Sequence, residues 1–245
     1  MTTGKPDRRA RPPVRGVLFD KDGTLVDFRA TWVPAYRGAA EDLARRLGGG
    51  PGLAHLLLER LGYDARADSF AEDSPLLWAT NEAIAATWAA TPEVVGRVDA
   101  REIVHRHFSD LDRYPPRPVG DLPALLGRLR RRGLALGMAT MDDTAVARDT
   151  AARLEIADLL DFVAGADAGH GEKPGPGMAL AFCAACGLAP AEVVVVGDTP
   201  ADLLMARSAG CARAVAVRTG ATPLHLVEPL ADHVLANVQE IEAVL

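Results

Sequence analysis

Hydrophobic and polar positions follow two different patterns along this chain. Short apolar runs occur at Val14 to Phe19, Leu134 to Thr140, Phe162 to Ala166, Val193 to Val196 and Ala214 to Val217. Runs of this length between turn residues suit buried strands of a parallel sheet. Helical stretches separate them. Asp121 can cap a helix with Leu122, Leu125, Leu126 and Leu129 on one face, ending in Arg130-Arg131-Arg132 before Gly133. Thr144 to about Leu154, capped by Asp142 or Asp143, and Met178 to Cys186 read as the next two helices. Strands alternating with helices predict an α/β fold, a parallel sheet covered on both faces.

From about Phe28 to Arg113 the pattern changes to helical stretches with no strand-like run. Ser74-Pro75 and Thr91-Pro92 each look like an N-cap followed by Pro at the first helical position. Gly48-Gly49-Gly50-Pro51-Gly52 breaks one helix from the next, and Tyr114-Pro115-Pro116-Arg117-Pro118 forms a stiff exit. The predicted organisation is a mobile tail at 1–13, an α/β core at 14–27 and 114–245, and a helical unit inserted at 28–113.

Length and composition narrow the classes. A chain of 245 residues, 49% hydrophobic, can bury a substantial core. No apolar run approaches the ~20 residues of a membrane span, and no signal-peptide core stands at the N-terminus. Three cysteines give no disulfide framework, so a cytoplasmic, reducing compartment is expected. A net charge of -6 argues against a nucleic-acid partner. Of 27 cationic residues only Lys5, Lys21 and Lys173 are lysines, the other 24 being Arg.

Polar groups stand at the ends of the predicted strands. Asp20 and Asp22 follow the first, Thr140 ends the second, Lys173 lies in Gly171 to Pro176, and Asp198 follows Val193 to Gly197 with Asp202 four residues on. In a parallel sheet these ends share one edge, where ligands of open α/β folds bind. Three carboxylates without His or Cys favour a hard, oxygen-preferring ion such as Mg²⁺. A hydroxyl and an ammonium suit phosphoryl oxygens, and an uncommitted carboxylate can attack phosphorus.

Phe19-Asp20-Lys21-Asp22-Gly23-Thr24-Leu25-Val26-Asp27 resembles the first motif of the haloacid dehalogenase-like superfamily. Ala139-Thr140 resembles its second motif, Lys173-Pro174-Gly175-Pro176 its third, and Gly197-Asp198-Thr199-Pro200-Ala201-Asp202 its fourth, in the superfamily's order. The resemblance implies a Rossmann-like core with a small helical cap at 28–113. It implies a Mg²⁺-dependent phosphatase of small phosphorylated metabolites, most like the phosphoglycolate phosphatase branch, acting through an aspartyl-phosphate as monomer or homodimer. Asp20 would be the nucleophile and Asp22 the general acid and base, with its main-chain carbonyl on the metal. Thr140 and Lys173 would hold the phosphoryl group, Asp198 would ligate Mg²⁺, and Asp202 would support its shell or the lysine. Many relatives carry Asn where this chain has Met141.

Alternatives are weighed on the same residues. Asp22 disfavours dehalogenation, and the absence of Lys from 28–113 disfavours phosphonate hydrolysis through a Schiff base. A sugar-phosphate mutase of the beta-phosphoglucomutase kind is the runner-up, and a non-catalytic phosphate-binding module the reading from another class. Thr199, Pro200 and Asp202 also make a good helix start without metal. Lys173 is expected to be functional because a random cation in this chain would be Arg. Strand alternation points Lys21 away from Asp20 and Asp22. Cys183 and Cys186 read as core, His105 and His107 as an exposed helix, and Trp32 and Tyr36 as packing; Arg37 could bind a substrate carboxylate.

Overall fold

The computed structural model describes residues 12–245, so most of the expected mobile tail lies outside the described residues. The first strand, β1 (Gly16–Phe19), leads into a long helix, α1 (Phe28–Arg46), then α2 (Pro51–Glu59). A two-residue-per-strand hairpin follows, β2 (Tyr63–Asp64) and β3 (Ser69–Phe70), then α3 (Asn81–Ala89) and α4 (Ala100–Phe108). The remainder alternates: α5 (Leu122–Arg131), β4 (Ala135–Ala139), α6 (Thr144–Arg153), β5 (Phe162–Ala164), α7 (Gly177–Cys186), β6 (Val193–Gly197), α8 (Pro200–Ala209), β7 (Arg213–Val217) and β8 (His233–Leu235).

Six strands form one sheet in the order β5-β4-β1-β6-β7-β8, every neighbouring pair parallel. Successive strand residues supply opposite faces. Val17, Phe19, Val194 and Val196 join the cluster under α5 and α6, whereas Leu18, Val193 and Val195 join the one under α7 and α8. Both faces are therefore covered, which is why the apolar runs are continuous. Helix α5 forms as its pattern predicts. Asp121 accepts from Ala124 N at 3.0 Å, and Leu122, Leu125, Leu126 and Leu129 are all buried, each stabilising by about 2 kcal/mol. Cys183 is buried in the core as expected, and Cys186 packs partly buried against it.

Residues 28–108 build a separate hydrophobic cluster of their own. Trp32, Tyr36 and Phe108 pack with ring centroids 5.3–5.6 Å apart. The chain enters and leaves this region side by side, with Asp27 N donating to Arg117 O at 2.7 Å and Val119 N to Leu25 O at 2.9 Å.

Several local expectations are corrected. The hairpin of β2 and β3 interrupts a stretch expected to be purely helical. Pro75 opens only a three-residue 3₁₀ turn, because the Ser74 hydroxyl donates back to Leu61 O at 2.6 Å instead of capping. Thr91-Pro92 opens no helix. The Thr91 hydroxyl donates to Trp88 O at 2.8 Å, closing α3, while Asp99 caps α4 by accepting from Arg101 N and Glu102 N. Asp143 sits at the start of α6 without a capping bond, which comes instead from Asp167, accepting from Thr144 N at 2.8 Å. His107 is buried, its Nδ1 at 2.9 Å from the Tyr114 hydroxyl, although its neighbour His105 is exposed.

Candidate active site

β1 lies between β4 and β6, which brings three motif-bearing strand ends together. Phe19 is in register with Met138 and Val196, and Asp20 N donates to Val196 O at 2.8 Å. Thr140 and Asp198 thus leave the adjacent strands within one residue of the level of Asp20. The chain turns off β1 at Gly23, whose φ of 84° suits glycine. A Cβ there, or at Gly220, would strike the Asp198 carboxylate. These two glycines leave room for an acid at the sheet edge.

Lys173 reaches this edge from the loop before α7. Its Nζ donates to Asp20 Oδ1 at 2.5 Å and Asp202 Oδ1 at 2.6 Å, all three residues being buried. Burial works against the ammonium, but Asp20 and Asp202 outweigh it and raise the Lys173 pKa. Asp202 also belongs to the N-terminus of α8, where its Oδ2 accepts from Thr199 N at 3.1 Å and Thr199 Oγ1 at 2.6 Å. Helix capping and contact with Lys173 are both present in one side chain. The Thr140 hydroxyl accepts from Asp142 N at 3.2 Å and is buried beside the same pocket.

Carboxylate oxygens of Asp20, Asp198 and Asp202 lie within 4.8 Å of one another. Burial pushes the Asp20 carboxyl up to about 7 against the pull of Lys173. Burial, reinforced by Asp20 and Asp202, holds Asp198 well above the carboxylate range. One lysine does not neutralise three buried acids, and Asp198 Oδ1 is buried without a hydrogen-bond partner. This all-oxygen set fits a hard divalent cation such as Mg²⁺. Asp20 and Asp198 have free oxygens to offer it, whereas both oxygens of Asp202 are engaged. The Asp22 carboxylate stands outside the cluster, so any part it takes there falls to its main chain.

Asp22 has a partner that the sequence pattern misplaces. Lys21 Nζ lies 2.8 Å from Asp22 Oδ2 and 3.0 Å from Asp142 Oδ2, with the Trp32 ring centroid at 5.2 Å. The expectation that Lys21 points away is therefore corrected. β1 ends at Phe19, so strand alternation does not extend to residue 21. Burial raises the Asp22 pKa, with Lys21 and the Trp32 indole opposing. Asp142 in turn accepts from Asn81 Nδ2 at 2.7 Å, tying α3 to the core. Composition held the signal for Lys21: Lys21 and Lys173, the two lysines among the described residues, are both buried in ion pairs. Asp142, Asn81 and Trp78 carried no signal beyond ordinary capping or packing.

Arg37 is not brought to this place. Its Nη2 donates to the Tyr63 hydroxyl at 2.9 Å and Ala65 O at 3.2 Å, beside a different cavity. Trp32 and Tyr36 line the pocket as well as packing in the helical cluster.

Comparison with known proteins agrees with this geometry. Residues 14–210 match the haloacid dehalogenase-like hydrolase family. The phosphoglycolate phosphatase of Escherichia coli strain K12 is 31% identical over 206 residues, covering 81% of this chain and 79% of that one. The solved structure of a predicted phosphoglycolate phosphatase from Haemophilus somnus superposes with a TM-score of 0.70 at 20% identity, covering 94% and 97% of the two chains. The beta-phosphoglucomutase of Clostridium difficile gives 0.66 at 17% identity, covering 93% of each. At those identities the structural likeness shows the fold alone. With the family match and the 31% relative beside it, the chain belongs to the haloacid dehalogenase-like hydrolases.

Proposed function

We propose that this phosphatase hydrolyses a small phosphomonoester through an aspartyl-phosphate on Asp20. The observation that carries the reading is the convergence of Asp20, Asp22, Thr140 and Lys173 on one pocket. Asp20 Oδ2 is free of Lys173 and can attack phosphorus as the ester P–O bond breaks. The departing alkoxide takes the proton of Asp22, whose pKa burial raises above the ordinary carboxylate value. Asp22, now a carboxylate, takes a proton from water, which attacks the aspartyl-phosphate and releases phosphate with Asp20 restored. Lys173 and the Thr140 hydroxyl hold phosphoryl oxygens, and Asp202 keeps Lys173 in place. Mg²⁺ held by Asp20, Asp198 and the Asp22 carbonyl would supply positive charge for the phosphoryl oxygens and keep Asp20 ionised. The helical region 28–113 serves as a cap over this pocket, and a cytoplasmic monomer or homodimer fits the reading. Among the described residues no helix is long and apolar enough to cross a membrane.

Rapid quench with ³²P-labelled substrate and Mg²⁺, followed by peptide mapping, tests the assignment. Label should appear on Asp20, and Asp20→Asn should lose both label and turnover. Asp22→Asn should accumulate phosphoenzyme from an activated aryl phosphate and then stall. Full turnover in EDTA, or by Asp20→Asn, would overturn the mechanism. Free phosphate released one for one with alcohol separates this reading from a mutase, which would return phosphate to a sugar.

A further inference from the structure

The pocket at the strand ends continues beyond the phosphoryl-binding groups toward the helical region, and that continuation is apolar. Phe28 and Trp32 of α1, Leu77 and Trp78 of the turn before α3, Ile84 of α3 and Met141 after β4 line it. Trp78 is 52% exposed, a large aromatic surface left open at the pocket. The polar groups interspersed with these are acidic or neutral. Asp142 and Asn81 bond to each other at 2.7 Å, and Asp22 stands nearby.

No spare positive charge faces this space among the described residues. Lys173 is the one cation lining the pocket, and it is held between Asp20 and Asp202 at the phosphoryl end. Lys21 is buried between Asp22 and Asp142. Arg37, the residue that sequence reading offered for a substrate carboxylate, is engaged by Tyr63 and Ala65 beside another cavity. A carboxylate on the leaving alcohol would have to give up water against indole, alkyl and thioether groups, with every cation near the pocket among the described residues already held in ion pairs. Removing a charge from water without a partner is strongly unfavourable. An alkyl or aryl group in the same place exchanges water for apolar contact.

We infer that the substrate is a phosphomonoester of an uncharged alcohol with an apolar face, and that an acidic alcohol such as glycolate is selected against. The inference rests on the phosphatase reading and specifies its substrate. Attack by Asp20 and protonation by Asp22 are unchanged. What the apolar lining and the missing cation decide is which alcohol sits over Asp22 when the P–O bond breaks. Among the described residues, the substrate carboxylate implied by phosphoglycolate has no unpaired counter-ion at the site.

The test is a matched series assayed on the full chain with Mg²⁺: butyl phosphate, benzyl phosphate, phosphoethanolamine and 2-phosphoglycolate. All four leave as alkoxides, so leaving-group chemistry contributes little to the comparison. The better of butyl and benzyl phosphate should exceed 2-phosphoglycolate in kcat/KM by at least about tenfold, the scale on which apolar pockets discriminate single groups. Trp78→Ala, at an exposed position that the fold does not depend on, should lower that preference about tenfold, mainly through KM. If 2-phosphoglycolate or phosphoethanolamine is turned over as well as the apolar esters, or better, the inference fails while the phosphatase reading stands. If Trp78→Ala leaves the preference unchanged, the aromatic wall does not read the alcohol and the inference fails in that form. If none of the four, nor 4-nitrophenyl phosphate, is hydrolysed, the phosphatase reading itself fails and the inference falls with it.

Discussion

Lys21 sits between two carboxylates, and its consequences are those of a buried ion triad. Asp22 at 2.8 Å and Asp142 at 3.0 Å outweigh the burial that opposes its charge, so the Lys21 pKa is raised. The ammonium thereby fixes the Asp22 carboxyl at one place in the pocket, a positioning role that strand alternation does not reveal. Replacing one partner of a buried pair leaves uncompensated charge, at a cost of about 3–5 kcal/mol. Lys21→Met should therefore destabilise by about that amount, and Lys21→Met/Asp142→Asn, which leaves one buried carboxylate without the cation instead of two, should recover part of it. In the double variant kcat should still fall about 10²-fold with KM little changed, because Asp22 loses its orientation and only proton transfer suffers. Thermal unfolding and steady-state kinetics on the pair of variants decide the matter. A double variant with normal kcat would make Lys21 purely structural. Lys21→Arg should not rescue, since a planar fork does not fill a site shaped for a compact ammonium.

Helices α1 and α4 meet over a second buried polar group with its own pH dependence. Asp42 of α1 is surrounded by Arg45, Arg46, Arg106 and His107. Burial raises its pKa, but Arg106, Arg45 and Arg46 more than offset this and hold it below the ordinary value. His107, with its Nδ1 on the Tyr114 hydroxyl, is shifted down from 6.5, burial being the largest cause, despite the opposing contact with Asp42. A histidine whose folded pKa is depressed binds its proton more readily when unfolded. Its contribution is present above pH 6.5 and declines as pH falls from there toward the folded value. The melting temperature should drop between pH 7.5 and 5.5 by more in the wild type than in His107→Gln, with other titrating groups common to both. Equal drops would show that His107 titrates as freely folded as unfolded. Elements of this kind differ in how much the sequence reveals of them. Helix α5 is legible because its period of burial coincides with the face it buries, and strand β6 because it is a continuous apolar run buried on both faces. The edge strand β8 is only three residues with a histidine at its start, and the hairpin of β2 and β3 is shorter still. Neither carries a period. Thr91 and Ser74 look like caps by residue type, yet their hydroxyls bond to preceding carbonyls, which only the folded turn decides. Asp20, Thr140 and Asp198 were legible because each follows a strand end, and a parallel sheet aligns those ends; Lys173, in the loop before α7, was legible because lysine is rare in this chain. The Lys21 pairing was not, since it depends on the turn beyond the last residue of β1, nor was the position of Arg37, whose partners Tyr63 and Ala65 come from the hairpin of β2 and β3.

At the scale of the whole molecule, two hydrophobic assemblies share one pocket. The sheet with α5 to α8 buries its own clusters on both faces, and residues 28–108 bury a third. The two connecting segments run together, Asp27 N donating to Arg117 O at 2.7 Å, so the helical region can be excised without opening a gap in the sheet. Contacts from that region to the core are few and polar where they bear on chemistry, as in Asn81 to Asp142 at 2.7 Å. On the proposed reading, phosphoryl transfer falls to the sheet edge and recognition of the alcohol largely to α1, α3 and the turn between Pro75 and Trp78, which line the same pocket. Replacing residues 28–113 with a short Gly-Ser linker should therefore leave a folded sheet domain, verified by a cooperative thermal transition. That domain should retain measurable hydrolysis of 4-nitrophenyl phosphate, whose leaving group needs little assistance from Asp22. It should lose the preference among alkyl esters, because Phe28, Trp32, Leu77, Trp78 and Ile84 leave with the insertion while Asp20, Thr140, Lys173 and Asp198 remain. Its rate on small esters should fall by about 10²-fold or more, since water reaches the site and Lys21 is no longer covered by Trp32. If the insertion acts as the proposed cap, large phosphorylated proteins should become as accessible to the truncated domain as small esters. A truncated domain with unchanged selectivity would show that the insertion does not read the substrate and would return that role to Met141 and the strand-end loops.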